Sequence, residues 1–194
     1  MITRPATVRR WADVVTVMGS RGDPAHCWCQ FFRLRGRHWT AATRESNQEG
    51  LGVQVREGEI PPGVLAYVDG EPVGWCAVGP KSSYPRLLAS PVTRPVTGAE
   101  ADGTWSLTCF VVRVGWRRRG VASALLDGAV RLAREHRAAR VEGYPVDRDA
   151  RSSVSSAELY HGPLSVFLDA GFTEVRRPSP ARPVVQLDLT RRPR

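Results

Sequence analysis

Three consecutive arginines, Arg117, Arg118 and Arg119, stand directly before Gly120 in the stretch GWRRRGVASALL. A strand-like apolar run, TCFVV, precedes them, and a run whose apolar residues recur at helical spacing follows. The first turn of a helix carries backbone N–H groups without a partner and the positive end of the helix dipole, so it binds phosphate well. Three like charges there repel one another unless an anion lies among them. We therefore predict a phosphate-type anion site, against the alternative that the triplet is solvated surface.

The composition is that of an ordinary globular protein with a strong positive charge. The 194 residues are 42% apolar and 24% charged, and the formal net charge is +9. This charge suits an anionic partner such as nucleic acid, an acidic protein or a phosphorylated cofactor. No apolar stretch is long enough to span a membrane, and the first residues lack the apolar segment of a signal peptide. We therefore expect a cytoplasmic protein with no membrane partner, whose four cysteines are reduced.

The order of helix-like and strand-like segments predicts an α+β fold. The clearest element is a hairpin in which VLAYV and PVGWCAV flank Asp69-Gly70, a pair that tight primed turns favour. A buried strand is predicted over 105–112, and an amphipathic helix over 118–136. Further helices are predicted over 8–18 and 43–57. A second hairpin near the C-terminus would place antiparallel pairs at both ends of one sheet.

The segment around the arginines resembles a known signature. VVRVGWRRRGVASALL is similar to the acyl-CoA-binding sequence R/Q-x-x-G-x-G/A of the GNAT superfamily of N-acetyltransferases, with Arg117, Gly120 and Ala122 at its defining positions. DGEPVGWCAV resembles the hairpin that precedes the signature strand in that family. FLDAGFTEV resembles the family's usual C-terminal ending, a short helix followed by Gly-Phe and a strand.

The resemblance implies a fold and a reaction. The fold is a single GNAT-like α+β domain over residues 1–194, with a mixed, mostly antiparallel sheet flanked by helices. Residues 60–190 form its acyl-CoA-binding core, and the helical N-terminal region, residues 1–60, shapes the acceptor site. The reaction moves an acetyl group from acetyl-CoA, the co-substrate, to a primary amine of an unidentified small molecule or protein, by direct attack in a ternary complex. Family members are often dimers, so a homodimer is left open.

The same resemblance implies where the co-substrate binds. The CoA pyrophosphate lies on the backbone N–H groups of the signature loop, and the pantetheine arm pairs with the end of the signature strand. The N–H near Val112 then faces the thioester carbonyl, where it stabilises the developing oxyanion. The residues implied to bind acetyl-CoA are Phe110, Val111, Val112, Arg117, Arg118, Arg119, Gly120, Val121, Ala122 and Ser123.

The catalytic residues depart from the family pattern. Many members have a tyrosine four residues before the glycine of the Gly-Phe pair, and Phe167 occupies that position here. A phenyl ring cannot protonate the leaving thiolate, so we expect Tyr160, just before this helix, to serve as the acid. Glu142 is the expected base, and strand alternation places it on the same face as Tyr144. The alternative for Tyr160 is a tyrosine packed at a loop end, and the alternative for Glu142 is an exposed carboxylate.

The stretch AHCWCQFF brings cysteines and aromatic residues together near the N-terminus. Cys27 and Cys29 are closer than the usual cysteine pair of a zinc site and have no second pair nearby, so no metal is expected. Trp28, Trp75 and Tyr84 are predicted to line the acceptor pocket, with core packing as the alternative.

Two other functions remain as hypotheses. The charge of +9 and the arginine-rich segments would suit a basic nucleic-acid-binding protein, but no helix-turn-helix, zinc-finger or RNP-like motif supports it, so nucleic acid is disfavoured as a partner. Because of Phe167, a relative of the family that binds acyl-CoA without catalysis is the other alternative.

Overall fold

A seven-stranded sheet is the frame of the computed structural model, which describes residues 1–94, 102–150 and 158–190. The strands are β1 Ile2–Pro5, β2 Gly63–Val68, β3 Glu71–Pro80, β4 Thr104–Val112, β5 Arg140–Gly143, β6 Thr173–Ser179 and β7 Arg182–Asp188. The described helices are α1 Trp11–Met18, α2 Gly22–Cys27, α3 Arg37–Thr40, α4 Arg44–Glu57, α5 Pro85–Ala89, α6 Val121–Glu135 and α7 Leu164–Asp169. Short 3-10 turns cover Val8–Arg10, Lys81–Ser83 and Glu158–His161. None of the described helices combines the length and the apolar character that crossing a membrane requires.

The strands follow the spatial order β1-β2-β3-β4-β5-β7-β6, and every neighbouring pair is antiparallel except β4 and β5. This confirms the predicted α+β fold with a mostly antiparallel sheet and antiparallel pairs at both ends, although β1 and not the β2–β3 hairpin forms one edge. The predicted turn between β2 and β3 is also confirmed. Asp69 and Gly70 have φ angles of 49° and 84°, the two positive values that a type I′ turn requires.

Helix α6 packs on one face of the sheet and carries its N-terminus to the end of β4. Its inner residues Val121, Leu125, Ala129 and Leu132 are buried, as the apolar periodicity predicts. Gly74 on β3 permits a close approach, because a Cβ there would lie 2.7 Å from Val121 Cγ1. Gly74 also pairs with the last residue of β4. The first turn of α6 therefore lies beside the point where β4 ends.

Helices α1 and α4 cover the opposite face of the sheet. One buried cluster combines α1, α4 and the strands beneath them, including Val14, Leu51, Trp75 and Val111. The central strands β2, β3 and β4 are consequently covered on both faces, and nearly all of their residues are buried.

The two edges of β4 are paired to different lengths. β3 pairs with β4 as far as Val112, with a register shift at Thr108 that leaves this residue in a bulge. β5 pairs only with Thr104–Leu107. Within the described residues no strand accompanies β4 on that side beyond Leu107. The second half of β4 therefore has no strand paired with it on that side in the described residues, and the turn at 158–161 packs against β4.

Candidate active site

The loop between β4 and α6 has an unusual backbone. Gly115, Arg118 and Gly120 have φ angles of 91°, 60° and 77°. Left-handed residues interspersed in a turn bring successive N–H groups to one side and create concavities that bind anions. The helix predicted from residue 118 therefore begins at Val121, because the residues before it are not helical. Gly120 is its N-cap and provides no side-chain cap.

The N-terminus of α6 is open. No acidic residue lies in its first turn, and a Cβ built on Gly120 would meet nothing within 4 Å. The backbone N–H groups of this turn have no intrahelical acceptor. The first turn thus meets the steric and electrostatic needs of a phosphate group.

The three arginines of the loop are exposed and carry uncompensated charge. Arg117 Nε donates to the Val112 carbonyl oxygen at 3.4 Å, and the Arg119 guanidinium lies 5.3 Å from the ring centroid of Trp116. Considering only residues that the structure describes, neither these two arginines nor Arg118 forms an ion pair with a carboxylate. An anion bound at this loop would be attracted by the three arginines and would not have to displace a carboxylate.

A cavity of about 430 Å³ opens between β4 and the N-terminal helices. Its wall is mainly apolar and aromatic, and Asp23 is the one carboxylate among the lining residues. The region 23–47 supplies most of the wall, β4 supplies one side, and the turn at 158–161 closes another. The residues that line it include Asp23, Cys27, Cys29, Phe31, Phe32, Trp39, Thr108, Cys109, Val111 and Tyr160.

Tyr160 is the predicted catalytic residue that the structure places on this cavity. Burial raises the pKa of its phenol, Asp23 and Cys109 raise it further, and Arg117 opposes them. The phenol consequently stays protonated at neutral pH, as a proton donor must. Tyr160 and Asp23 line the same cavity.

Glu142 does not line the cavity, and the alternative of an exposed carboxylate is wrong, because the residue is 4% exposed. Its Oε1 atom lies 2.5 Å from Lys81 Nζ and accepts a 2.6 Å hydrogen bond from the Tyr144 hydroxyl. Gln186 Nε2 donates to Oε2 at 2.8 Å. The expectation that Glu142 and Tyr144 share a face is confirmed. Both carboxylate oxygens are already engaged, so the structure places Glu142 in a buried ion-pair network rather than beside an acceptor.

Lys81, the partner of this carboxylate, was not among the residues predicted from the sequence. It is the single lysine among 28 basic residues, and it is 2% exposed. A compact ammonium group fits a closed site more readily than the branched guanidinium of arginine. The retention of one lysine in a chain that otherwise uses arginine was the signal that could have found it.

The three predicted pocket residues are core residues instead. Trp28, Trp75 and Tyr84 are 1%, 0% and 0% exposed, and none of them contributes to the cavity wall. The aromatic wall comes from Phe31, Phe32 and Trp39, and Phe31 contacts each of the other two edge to face. The prediction was wrong because both faces of β3 are covered and the loop after α2 turns its tryptophan inward.

Phe167 is fully buried and does not line the cavity. Its ring packs edge to face on Phe110 and Phe172, at centroid distances of 5.9 Å and 5.2 Å. In the described segments, no group of three or more His, Cys, Asp or Glu side chains could hold a metal ion.

The comparisons with known proteins agree with this geometry. The model of the acetyltransferase (GNAT) family matches residues 27–154, and the chain belongs to that family. It is therefore an acyltransferase of the GNAT type, with acetyl-CoA as co-substrate and N-acetylation as the general reaction. A search of curated proteins found no match.

Solved structures share the fold at low sequence identity. The GNAT domain of S. lividans PAT is 20% identical with a TM-score of 0.55, over 96% of this chain and 89% of that one. Ribosomal-protein-alanine N-acetyltransferase from Brucella melitensis is 17% identical with a TM-score of 0.56, over 97% and 100%. PaiA N-acetyltransferase from Thermoplasma acidophilum, solved in complex with coenzyme A, is 8% identical with a TM-score of 0.52, over 96% and 97%.

Proposed function

We propose that the chain transfers an acetyl group from acetyl-CoA to a primary amine held in the cavity beside β4, by direct attack in a ternary complex. The observation that carries this proposal is the position of the cavity. It opens on Thr108, Cys109 and Val111 of β4, the strand that ends at the uncompensated arginine loop. A donor bound along the strand and an acceptor in the cavity would meet at its second half.

The donor is held by backbone groups and by the arginines. The pyrophosphate binds the N–H groups of residues 117–123, and the pantetheine arm pairs with Phe110–Val112. The free edge of β4 beyond Leu107 and the uncapped start of α6 support this placement. The N–H near Val112 donates to the thioester oxygen. Loss of one such donor typically costs roughly 10²–10³ in rate.

The acceptor is held by the N-terminal region of the chain. Residues 1–60 supply most of the cavity wall, so we assign acceptor selection to them. Asp23 attracts the ammonium form of an entering amine, and Tyr160 protonates the departing CoA thiolate. With Glu142 engaged by Lys81, water removes the proton from the amine. Positioning of the two reactants supplies much of the rate.

Calorimetry with acetyl-CoA tests the donor site. We expect binding by the wild-type protein and a loss of at least about tenfold, or ~1.4 kcal/mol, in Gly120→Leu, because a side chain there blocks approach to the helix start. Gly19→Leu is the matched control, since Gly19 also has a positive φ, 70°, and open space around it. Unchanged affinity in Gly120→Leu would contradict the loop contact. Absence of binding to the folded wild-type protein would remove the proposal.

Assays of CoA release with a panel of primary amines test the reaction. Turnover with any amine would exclude an acyl-CoA-binding protein without catalysis. The comparisons give no support to nucleic-acid binding, and no feature of the cavity favours it.

A further inference from the structure

Thiol groups gather at the wall of the cavity. The chain has four cysteines, and all of them are free thiols in the structure. Cys27, Cys29 and Cys109 line the cavity, whereas Cys76 is fully buried in the core cluster on the other face of the sheet. Cys29 interacts with its sequence neighbour Cys27 and also with Cys109 of β4, which lies 80 positions further along the chain (109 − 29).

The backbone at Cys29 holds the thiol in a fixed place. Trp28 and Cys29 have φ angles of 45° and 57°. Such values are rare for residues other than glycine, and each costs on the order of 1 kcal/mol unless the surroundings impose it. The Trp28 indole donates to the Ala25 carbonyl oxygen at 2.7 Å. The Trp75 indole N–H donates to Cys29 Sγ at 3.2 Å. Two buried tryptophans thus position this sulfur.

Cys29 is the one thiol of the four whose pKa is lowered. The neighbouring Cys109 thiol is the main cause, and the Trp75 indole and the Arg33 guanidinium lower the pKa further against the effect of burial. The same contact raises the pKa of Cys109. Burial and the charge of Cys29 raise the pKa of Cys27 to about 11. Only the thiolate form of cysteine is a strong nucleophile, so Cys29 is the reactive member of the cluster.

We propose that Cys29 accepts the acetyl group from acetyl-CoA and becomes S-acetylated when no amine fills the cavity. This inference rests on the proposed function, because it requires the thioester to lie along Phe110–Val112. That segment follows Cys109 directly, and Val111 belongs to the same buried cluster as Cys29. Cys29 therefore lines the same cavity as the strand along which the thioester carbonyl is expected.

The step is a balanced exchange between two thioesters. The Cys29 thiolate forms a bond to the acetyl carbon, the bond from that carbon to the CoA sulfur breaks, and its electron pair leaves with CoA. The CoA thiolate then takes a proton from water. No oxidant or reductant takes part. A thiolate needs no base to activate it, and the departing CoA thiolate takes its proton from water, so Phe167 at the usual tyrosine position is no obstacle. An amine in the cavity competes for the same carbonyl carbon.

Incubation of the full chain with acetyl-CoA, without amine, tests this inference by intact mass and peptide mapping. We expect one acetyl group on Cys29, none on Cys27, release of the label by hydroxylamine, and one equivalent of free CoA. The label should be absent from Cys29→Ala and present in Cys76→Ala, whose sulfur is buried away from the cavity. Cys109→Ala should label more slowly than wild type, whereas Cys109→Ser keeps a hydrogen-bond donor and should label faster than Cys109→Ala. Added amine substrate should reduce the label.

A second measurement does not depend on any variant. Wild-type protein is treated with acetyl-CoA, desalted and then alkylated. Protection of Cys29 that survives desalting and is reversed by hydroxylamine supports the inference, whereas treatment with CoA alone should leave no protection. Acetyl-CoA binding and amine turnover without any adduct on Cys29, or an adduct on Cys27 instead, would overturn the inference and leave the proposed function intact. Absence of acetyl-CoA binding would overturn both.

Discussion

Glu142→Gln is the substitution that separates a structural carboxylate from a catalytic one. It preserves the shape of the side chain but removes the charge opposite Lys81, whose ammonium is 2.5 Å from the carboxylate and 2% exposed. The Tyr144 ring also faces the Lys81 ammonium, and its centroid is 6.0 Å from Nζ. A buried ammonium left without its counter-ion costs about 3–5 kcal/mol. That loss is a large share of the ~5–15 kcal/mol that stabilises a typical domain.

The reverse substitution should cost less. In Lys81→Met the carboxylate keeps two donors, the Tyr144 hydroxyl at 2.6 Å and the Gln186 amide at 2.8 Å. Burial and the adjacent carboxylate raise the pKa of Tyr144, so its hydroxyl stays protonated and continues to donate. We therefore expect Glu142→Gln to be less stable than Lys81→Met. The double variant Lys81→Met/Glu142→Leu removes both charges and should also be more stable than Glu142→Gln.

Denaturant unfolding of the three variants and the wild type measures these differences, and thermal unfolding should show a decrease of about 6–20 °C in Tm for Glu142→Gln. Turnover is measured in parallel at a temperature where each variant is folded. We expect kcat to remain within about tenfold of wild type, because Glu142 does not line the cavity. A change in unfolding free energy below ~1 kcal/mol, together with a loss of kcat in the range of roughly 10²–10⁴ that general bases provide, would refute the structural role and restore the catalytic one.

Three further predictions concern the cavity and its support. Tyr160→Phe should lower kcat by about 10²-fold or more without changing acetyl-CoA affinity, and unchanged turnover would exclude the phenol as proton donor. Gly143→Ala should destabilise the fold by about 1–3 kcal/mol, because its Cβ would lie 2.3 Å from a ring carbon of Phe167; Phe167→Leu should relieve part of this cost, and strictly additive losses would contradict the contact. The alkylation rate of wild-type protein, followed by peptide mapping, should rise with pH through a midpoint below the usual range of a thiol pKa for Cys29 and about 11 for Cys27. Identical profiles for the two thiols would contradict the assigned charge distribution.

Features confined to one segment of chain were predictable from the sequence. The turn at Asp69-Gly70 follows from residues that tolerate positive φ, and the buried face of α6 follows from apolar periodicity. The arginines before Gly120 indicated an open helix start because dipole and unpaired N–H groups are local properties of any helix. Even here the boundary shifted, since Arg118 adopts a positive φ that the sequence did not indicate.

Contacts between distant segments were decided by the tertiary structure alone. Lys81 and Glu142 are 61 positions apart in the sequence, and Cys29 and Cys109 are 80 positions apart. Nothing in either neighbourhood specifies such a partner, because the pairing depends on how strands and loops are stacked. The same reason explains Trp75: the central strands are covered on both faces and most of their residues are buried, so residue type cannot distinguish a core position from the wall of a cavity. The sequence determined the elements and the arginine loop before α6, and packing determined which side chains line the cavity.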